Sequence, residues 1–314
     1  MIIPVYNAEN YLRACLDSVL SQPLALEVLC VDDGSSDGSA AILEEYAARD
    51  SRLHLLRQKN AGAGAARNRG LCQAAGEYLF FMDADDQLLP DALAQLYRQA
   101  ADADIIRCRC IDHNQQTGQN SRSVHNSLLR LPPFLFGPTL TYRKAWPWFP
   151  KVNVAPWGGL VRRRLLMAHD IRFNDLVCVN DRSFFWDCVL HAESIRFSKT
   201  DLLYYRTHMS ASLVGGRIRH FQCQFRSYEL VYALSRDLPS RMRRSLLNGE
   251  LLDLASWLEQ GIQTPRPLRS GSRRAHSLRR WTPRHGTAPS AIPVGTAVSM
   301  RRWITRMNSK RHRP

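Results

Sequence analysis

The chain has 314 residues, 45% of them hydrophobic and 23% charged, and a formal charge of +15. The apolar fraction excludes a largely disordered chain, and no window approaches the roughly 18 consecutive apolar residues of a membrane span. The charge invites a nucleic-acid partner, yet residues 1–262 hold 30 Lys/Arg against 28 Asp/Glu, whereas residues 263–314 hold 13 Lys/Arg and no acid.

The opening Met1-Ile2-Ile3-Pro4-Val5-Tyr6 has neither a basic start nor a cleavage site, so it does not read as a signal peptide. Ile2–Val5 reads as a strand, short enough to suggest a native start several residues earlier. A helix follows over Ala8–Ser21, with Tyr11, Leu12, Cys15, Val19 and Leu20 at helical spacing and Asn7 as its cap. Val28–Val31 is a second strand, then the turn Asp32-Asp33-Gly34-Ser35 and a helix near Ser39–Ala48. Leu53–Leu56, a helix over Gly62–Ala75, and a strand over Tyr78–Met82 come next. Pro90 opens a helix to about Ala101, and Ile105–Cys108 is a fifth strand. Strands alternating with helices predict right-handed crossovers and an α/β fold with a mostly parallel sheet.

From 110 to 160 the pattern loosens into aromatics and prolines, either the wall of a cleft or a covering layer. Residues 216–260 return to amphipathic helix, with Phe221, Phe225, Tyr228 and Tyr232 down one face as expected core. Past Gln263 the texture becomes Arg, Pro, Ser and Thr without periodicity, which predicts a disordered basic tail. The abrupt loss of acids there has the look of another reading frame. Eight cysteines without a Cys-x-x-Cys pair read as free thiols of a reducing compartment.

Ligands of open parallel sheets bind beyond the carboxyl ends of the strands. Here those ends carry Tyr6-Asn7 with Glu9, Asp32-Asp33, Lys59-Asn60 with Arg67-Asn68, and Asp83-Ala84-Asp85-Asp86. Carboxylates this close repel unless a proton or cation intervenes, and a hard divalent ion is the natural partner. The alternative is an acidic turn before the helix at Pro90, with Asp86 as its cap. Asp33 could accept a hydrogen bond from a nucleobase imide, or cap its own turn. Gly62-Ala63-Gly64 lacks the spacing of a dinucleotide loop; its glycines permit a turn or a close approach.

Taken together, Ile2-Ile3-Pro4-Val5-Tyr6-Asn7-Ala8-Glu9, Val31-Asp32-Asp33-Gly34-Ser35-Ser36-Asp37, Asn60-Ala61-Gly62, Ala66-Arg67-Asn68 and Asp83-Ala84-Asp85-Asp86 resemble the family 2 glycosyltransferases of the GT-A fold over about residues 1–110. The resemblance implies an inverting enzyme that uses a nucleotide-diphosphate sugar with Mg²⁺ or Mn²⁺. Pro4, Tyr6 and Glu9 would line the nucleotide pocket, Asp33 would bind the base, and Asn60 and Arg67 would contact the nucleotide. Asp83 would face the ribose and Asp85 would hold the metal. Val179-Asn180-Asp181-Arg182-Ser183-Phe184-Phe185 is similar to the family segment with the catalytic carboxylate, making Asp181 the candidate base; read alone, Asp181 is a helix cap. In Tyr204-Tyr205-Arg206-Thr207-His208-Met209-Ser210, Arg206 would neutralise phosphate and His208 would ligate the metal. Trp157-Gly158-Gly159-Leu160 resembles an acceptor-side segment, with Gly159 where the family usually has lysine.

The implied organisation is a catalytic domain over 1–215 (1–110 for the nucleotide sugar, 111–215 for acceptor and catalysis), a helical extension over 216–262 and the tail over 263–314. The implied partners are a nucleotide-sugar donor, best matched by UDP, and a saccharide or lipid-linked acceptor in capsule, lipopolysaccharide or other surface-polysaccharide synthesis. That places the protein in the cytoplasm, with peripheral contact to the inner face of the membrane and no nucleic acid. The rival expectation is a non-catalytic protein whose Arg273-Arg274, Arg279-Arg280 and Arg301-Arg302 pairs bind nucleic acid or an anionic membrane.

Overall fold

The computed structural model describes residues 1–122, 127–152, 154–207 and 221–263, and Met1–Pro265 cluster as one compact unit. Strands β1 (Ile2–Val5), β2 (Val28–Asp32) and β3 (Leu53–Arg57) pair in parallel, with Ile2 opposite Leu29 and Val28 opposite Leu53. Helices α1 (Glu9–Leu20), α2 (Ser39–Arg49) and α3 (Ala63–Gln73) make the crossovers. All five residues of β2 are buried, as a parallel strand covered on both faces must be. Alternate residues serve two cores: Ile3, Cys30, Phe80 and Met82 pack with α1 and α2, whereas Ile2, Leu29, Leu79 and Phe81 pack with the C-terminal half.

The expected fourth strand divides into β4 (Tyr78–Leu79) and a bridge at Phe81. Ile2 N–H donates to the Phe80 carbonyl at 2.9 Å and Met82 N–H to the Ile2 carbonyl at 3.1 Å. This links the three parallel strands to a second sheet ordered β4-β8-β6-β9-β5, formed with β5 (Gln87–Leu88), β6 (Ile105–Asn114), β8 (Gly159–Arg162) and β9 (Ile195–Thr207); β7 (Asn120–Ser121) pairs with β6. The fifth expected strand therefore does not lie beside the fourth. Strand β8 stands between them, antiparallel to both. It fits because Gly159, at φ 151°, has no Cβ to collide with the Ile106 carbonyl. Parallel pairing thus holds through the first four strands, and the second half is mixed.

Helix α4 (Ala92–Ala100) begins after a left-handed Asp91 rather than at Pro90. Helix α1 has Ala8 at its cap position without a side-chain bond; Asn7 instead accepts from Ser36 N–H at 2.8 Å. The aromatic, proline-rich stretch is a covering layer of short turns around α5 (Tyr142–Ala145). Its inner residues Leu128, Leu135, Trp146 and Phe149 share a core with Phe185, Trp186 and Phe197. Helices α6 (Arg163–Ala168) and α7 (Asn180–His191) follow.

The helical stretch expected over 216–260 holds α8 (Phe221–Leu234) and α9 (Ser240–Gln263). Its aromatic stripe is not core: Phe225 and Tyr228 are half-buried and Tyr232 is exposed. Gln224, Ser227 and Val231 are buried instead. The small Ser227 lets α8 close on α7, where its hydroxyl reaches the Val179 carbonyl at 3.4 Å. The eight cysteines are free, six of them buried and Cys72 exposed. Among the described residues no helix is long and apolar enough to cross a membrane. The basic tail from residue 264 onward lies outside the described residues.

Candidate active site

The loops after β1 and β2 are tied to each other. Asn7, at φ 50°, receives Ser36 N–H, and its own N–H donates to Ser35 Oγ at 3.1 Å. Glu9 accepts Gly38 N–H at 2.9 Å, so its carboxylate already braces the start of α2. Tyr6 is 53% exposed and Pro4 half-buried beside it.

Asp33 is buried and accepts three hydrogen bonds at 2.8 Å, from Gln58 Nε2, Ala61 N–H and Gly62 N–H. A carboxylate offers about four acceptor positions, so Asp33 first shapes the β3–α3 loop and keeps one position for another donor. That loop displays Asn60 to solvent and turns at Gly62, φ 91°.

Beyond β4 the chain turns so that Asp83, Asp85 and Asp86 bring carboxylate oxygens within 4.8 Å of one another. Burial, then the Asp83 charge, pushes the Asp85 carboxyl up to about 6. Asp86 is 1% exposed and is likewise pushed well above the usual carboxylate range, first by burial and then by Asp85. It is not a helix cap: Oδ1 accepts Arg206 N–H at 3.0 Å, and Oδ2 has no hydrogen-bond partner. An orphaned buried carboxylate oxygen beside two more carboxylates suits a hard cation with oxygen ligands. The residues therefore fit Mg²⁺ or Mn²⁺, with Asp86 joining Asp85.

Two arginines face this cluster. Buried Arg67 donates to Asp83 Oδ1 at 2.6 Å and to Asn180 Oδ1 at 3.1 Å, its guanidinium 5.3 Å from the Phe173 ring. Arg206 lies 5.2 Å from the Tyr11 ring and donates to Gln115 at 2.7 Å. His208 lies outside the described residues.

Helix α3 reaches α7 because Gly64 lacks a side chain: a Cβ there would stand 2.6 Å from the Asn174 carbonyl. Asn68 and the Phe173 backbone exchange two hydrogen bonds at 2.9 Å. Asp181 occupies the first turn of α7, half-buried, at the positive end of the helix dipole. Arg67 thus brings the strand-end acids and the start of α7 together. Sequence reasoning gave no role to Asn180, whose amide is the link; Trp157, of the expected acceptor-side segment, lies with its ring centroid 4.8 Å from that of Tyr205. Only the position of Asn180 beside Asp181 signalled it.

A model of the glycosyl transferase family 2 matches residues 1–168. The Bacillus subtilis (strain 168) protein EpsH, a glycosyltransferase by name, is 33% identical over 73% of this chain and 66% of its own length. The uncharacterized glycosyltransferase YibD of Escherichia coli (strain K12) is 33% identical over 66% of this chain and 61% of its own. The chain thus spans less than two thirds of either. Among solved structures, S. aureus TarS 1-349 in complex with UDP-GlcNAc superposes with a TM-score of 0.62 at 24% identity, covering 80% of this chain and 70% of that one. The mannosyltransferase PcManGT from Pyrobaculum calidifontis, solved with GDP-Man and Mn²⁺, gives 0.58 at 18% identity over 85% and 75%. These likenesses establish the fold.

Proposed function

The chain belongs to glycosyl transferase family 2, and from that premise we propose that it is an inverting glycosyltransferase that moves a sugar from a nucleotide-diphosphate sugar to a hydroxyl of a saccharide or lipid-linked acceptor. The observation that carries this is the acidic turn Asp83–Asp86, with an orphaned buried oxygen, held between Arg67 and Arg206. Acids and cations so arranged suit a diphosphate that arrives with a divalent ion.

Asp85 and Asp86 would hold Mg²⁺ or Mn²⁺, which when bound offsets the charge developing on the departing nucleoside diphosphate. His208 would add a ligand. Arg206 neutralises phosphate charge alongside it. Asp83, oriented by Arg67, faces the ribose. Asp33 uses its remaining acceptor position for the base, while Pro4, Tyr6, Glu9 and Asn60 line the nucleotide pocket. Asp181 removes the proton of the acceptor hydroxyl as that oxygen attacks the anomeric carbon opposite the diphosphate. Residues 1–110 serve the donor, 111–215 the acceptor, and 216–262 brace the latter from behind.

UDP is the donor nucleotide favoured here, because Asp33 suits a uracil imide and TarS was solved with UDP-GlcNAc. A role in surface-polysaccharide synthesis at the cytoplasmic face of the membrane belongs to the same reading. Thermal-shift screening of UDP-, GDP- and dTDP-sugars with and without Mn²⁺ tests it, followed by transfer assays with candidate acceptors. Mn²⁺-dependent stabilisation by one nucleotide class is expected. Normal transfer by both Asp85→Ala and Asp181→Ala would overturn the assignment.

A further inference from the structure

Helix α9 turns one face, Leu246, Gly249, Glu250 and Asp253, toward α7, where Arg182 and Trp186 stand one helical turn apart. Phe149 and Val152 of the covering layer close the third side. The three walls leave a cavity of about 190 Å³, room for about six waters by their share of liquid volume. Protein interiors contain few voids larger than one water. Gly249 keeps this one open. A glycine weakens a helix interior, and here it lines the cavity with backbone alone.

The apolar walls end at two buried charges, Arg182 at 5% exposure and Glu250 at 7%. Glu250 Oε1 accepts from Trp186 Nε1 at 2.8 Å, and Arg182 Nη2 donates to Asp253, which is half-exposed at the rim. Arg182 Nη1 lies 3.2 Å from Glu250 Oε2 without the alignment of a hydrogen bond. Nη1, Nε and Oε2 are all buried without a hydrogen-bond partner. Buried polar atoms are almost always paired, and two donors beside an acceptor define what would pair with them.

The chemistry of that set is selective. An ammonium would satisfy Glu250 and leave Arg182 as it is. A phosphate would do the reverse and meet two carboxylates as well. A hydroxyl donates and accepts at once, and two neighbouring hydroxyls can span a donor and an acceptor 3.2 Å apart. Phe149, Val152 and Leu246 then face the carbon side of the same molecule.

We propose that this cavity binds a small polyhydroxylated molecule of monosaccharide size, whose adjacent hydroxyls pair with Arg182 and Glu250. None of its lining residues belongs to the acidic turn, the nucleotide loops or Asp181, so it is a second site. Binding there requires neither nucleotide nor metal. The full chain labelled with ¹⁵N-tryptophan reads it, because the Trp186 indole N–H bonds to Glu250; Trp186→Phe assigns the resonance. The probes are methyl β-glucoside, N-acetylglucosamine and galactose. At least one should move the Trp186 resonance saturably, with a Kd on the order of 1–10 mM. Gly249→Leu fills the cavity without touching a charge and should abolish the shift, and Glu250→Gln should weaken binding about tenfold. No shift with any of these sugars up to about 100 mM would show a cavity for water only and overturn the proposal. A shift that survives Gly249→Leu arises elsewhere and overturns it equally. Should that variant fail to fold, Val152→Phe fills the same space from the opposite wall and decides in its place. A chain that binds sugar here yet transfers none would strike the transferase reading alone.

Discussion

Arg67 and Asn180, 113 residues apart in sequence, share a 3.1 Å hydrogen bond while the same guanidinium holds Asp83 at 2.6 Å. The end of β4 and the start of α7 are therefore set by one side chain. Arg67→Met should lower stability by about 2 kcal/mol, since it leaves Asn180 and Asp83 without their donor. It should also reduce transfer by at least about 100-fold, the scale of losing one donor at a charged site. Urea unfolding and steady-state transfer measure the two effects; a stable variant with full activity would refute the bridging role.

Burial and the neighbouring Asp83 raise the Asp85 carboxyl from its ordinary 3.8 to about 6 in the fold. The fold therefore favours the protonated form, and stability falls as pH rises from about 4 through about 6. In metal-free buffer Asp85→Asn should be more stable than the native protein by about 3 kcal/mol at pH 8, and equal to it below pH 4. Saturating Mn²⁺ should reverse the order at pH 8, because the ion stabilises the intact set of carboxylates. Denaturation curves with EDTA and with Mn²⁺ supply the comparison.

Gly64→Ala puts a methyl group 2.6 Å from the Asn174 carbonyl, a backbone atom that cannot step aside cheaply. A loss of about 2 kcal/mol is expected, together with faster amide exchange over residues 173–180. Hydrogen exchange would show whether the disturbance stays at that contact.

Glu250 accepts from Trp186 Nε1 at 2.8 Å and balances buried Arg182. Glu250→Met should cost about 3 kcal/mol by taking from that arginine its buried partner and leaving the half-exposed Asp253. Glu250→Gln keeps an acceptor for Trp186 and should cost less. Equal losses in both variants would show that charge is the whole effect.

The strand-end motifs were legible because each follows a short apolar run that alternates with helical patterns and is visible without tertiary context. What stayed hidden depended on contacts between distant segments. Nothing local to Gly158 or Gly159 says that β8 enters the sheet or that Arg107 lies over the glycines. Asp33 was legible as an acceptor, but its bonds to Ala61 and Gly62 need the β3–α3 loop in place. Asp86 looked like a helix cap because proline follows it; burial against Arg206 turned it inward. The aromatic face of α8 misled for another reason, since a helix may bury its smallest residues when a neighbour must come close.

Cys72 is the exposed thiol of the eight, and it rides on α3 five residues beyond Arg67, about 7.5 Å along the helix axis. Maleimide chemistry on the native protein should therefore label one position first, without mutagenesis. A fluorophore there sits on the helix that ties β4 to α7 and away from the acids themselves. The protein thus carries its own attachment point for watching that helix respond as nucleotide and metal arrive.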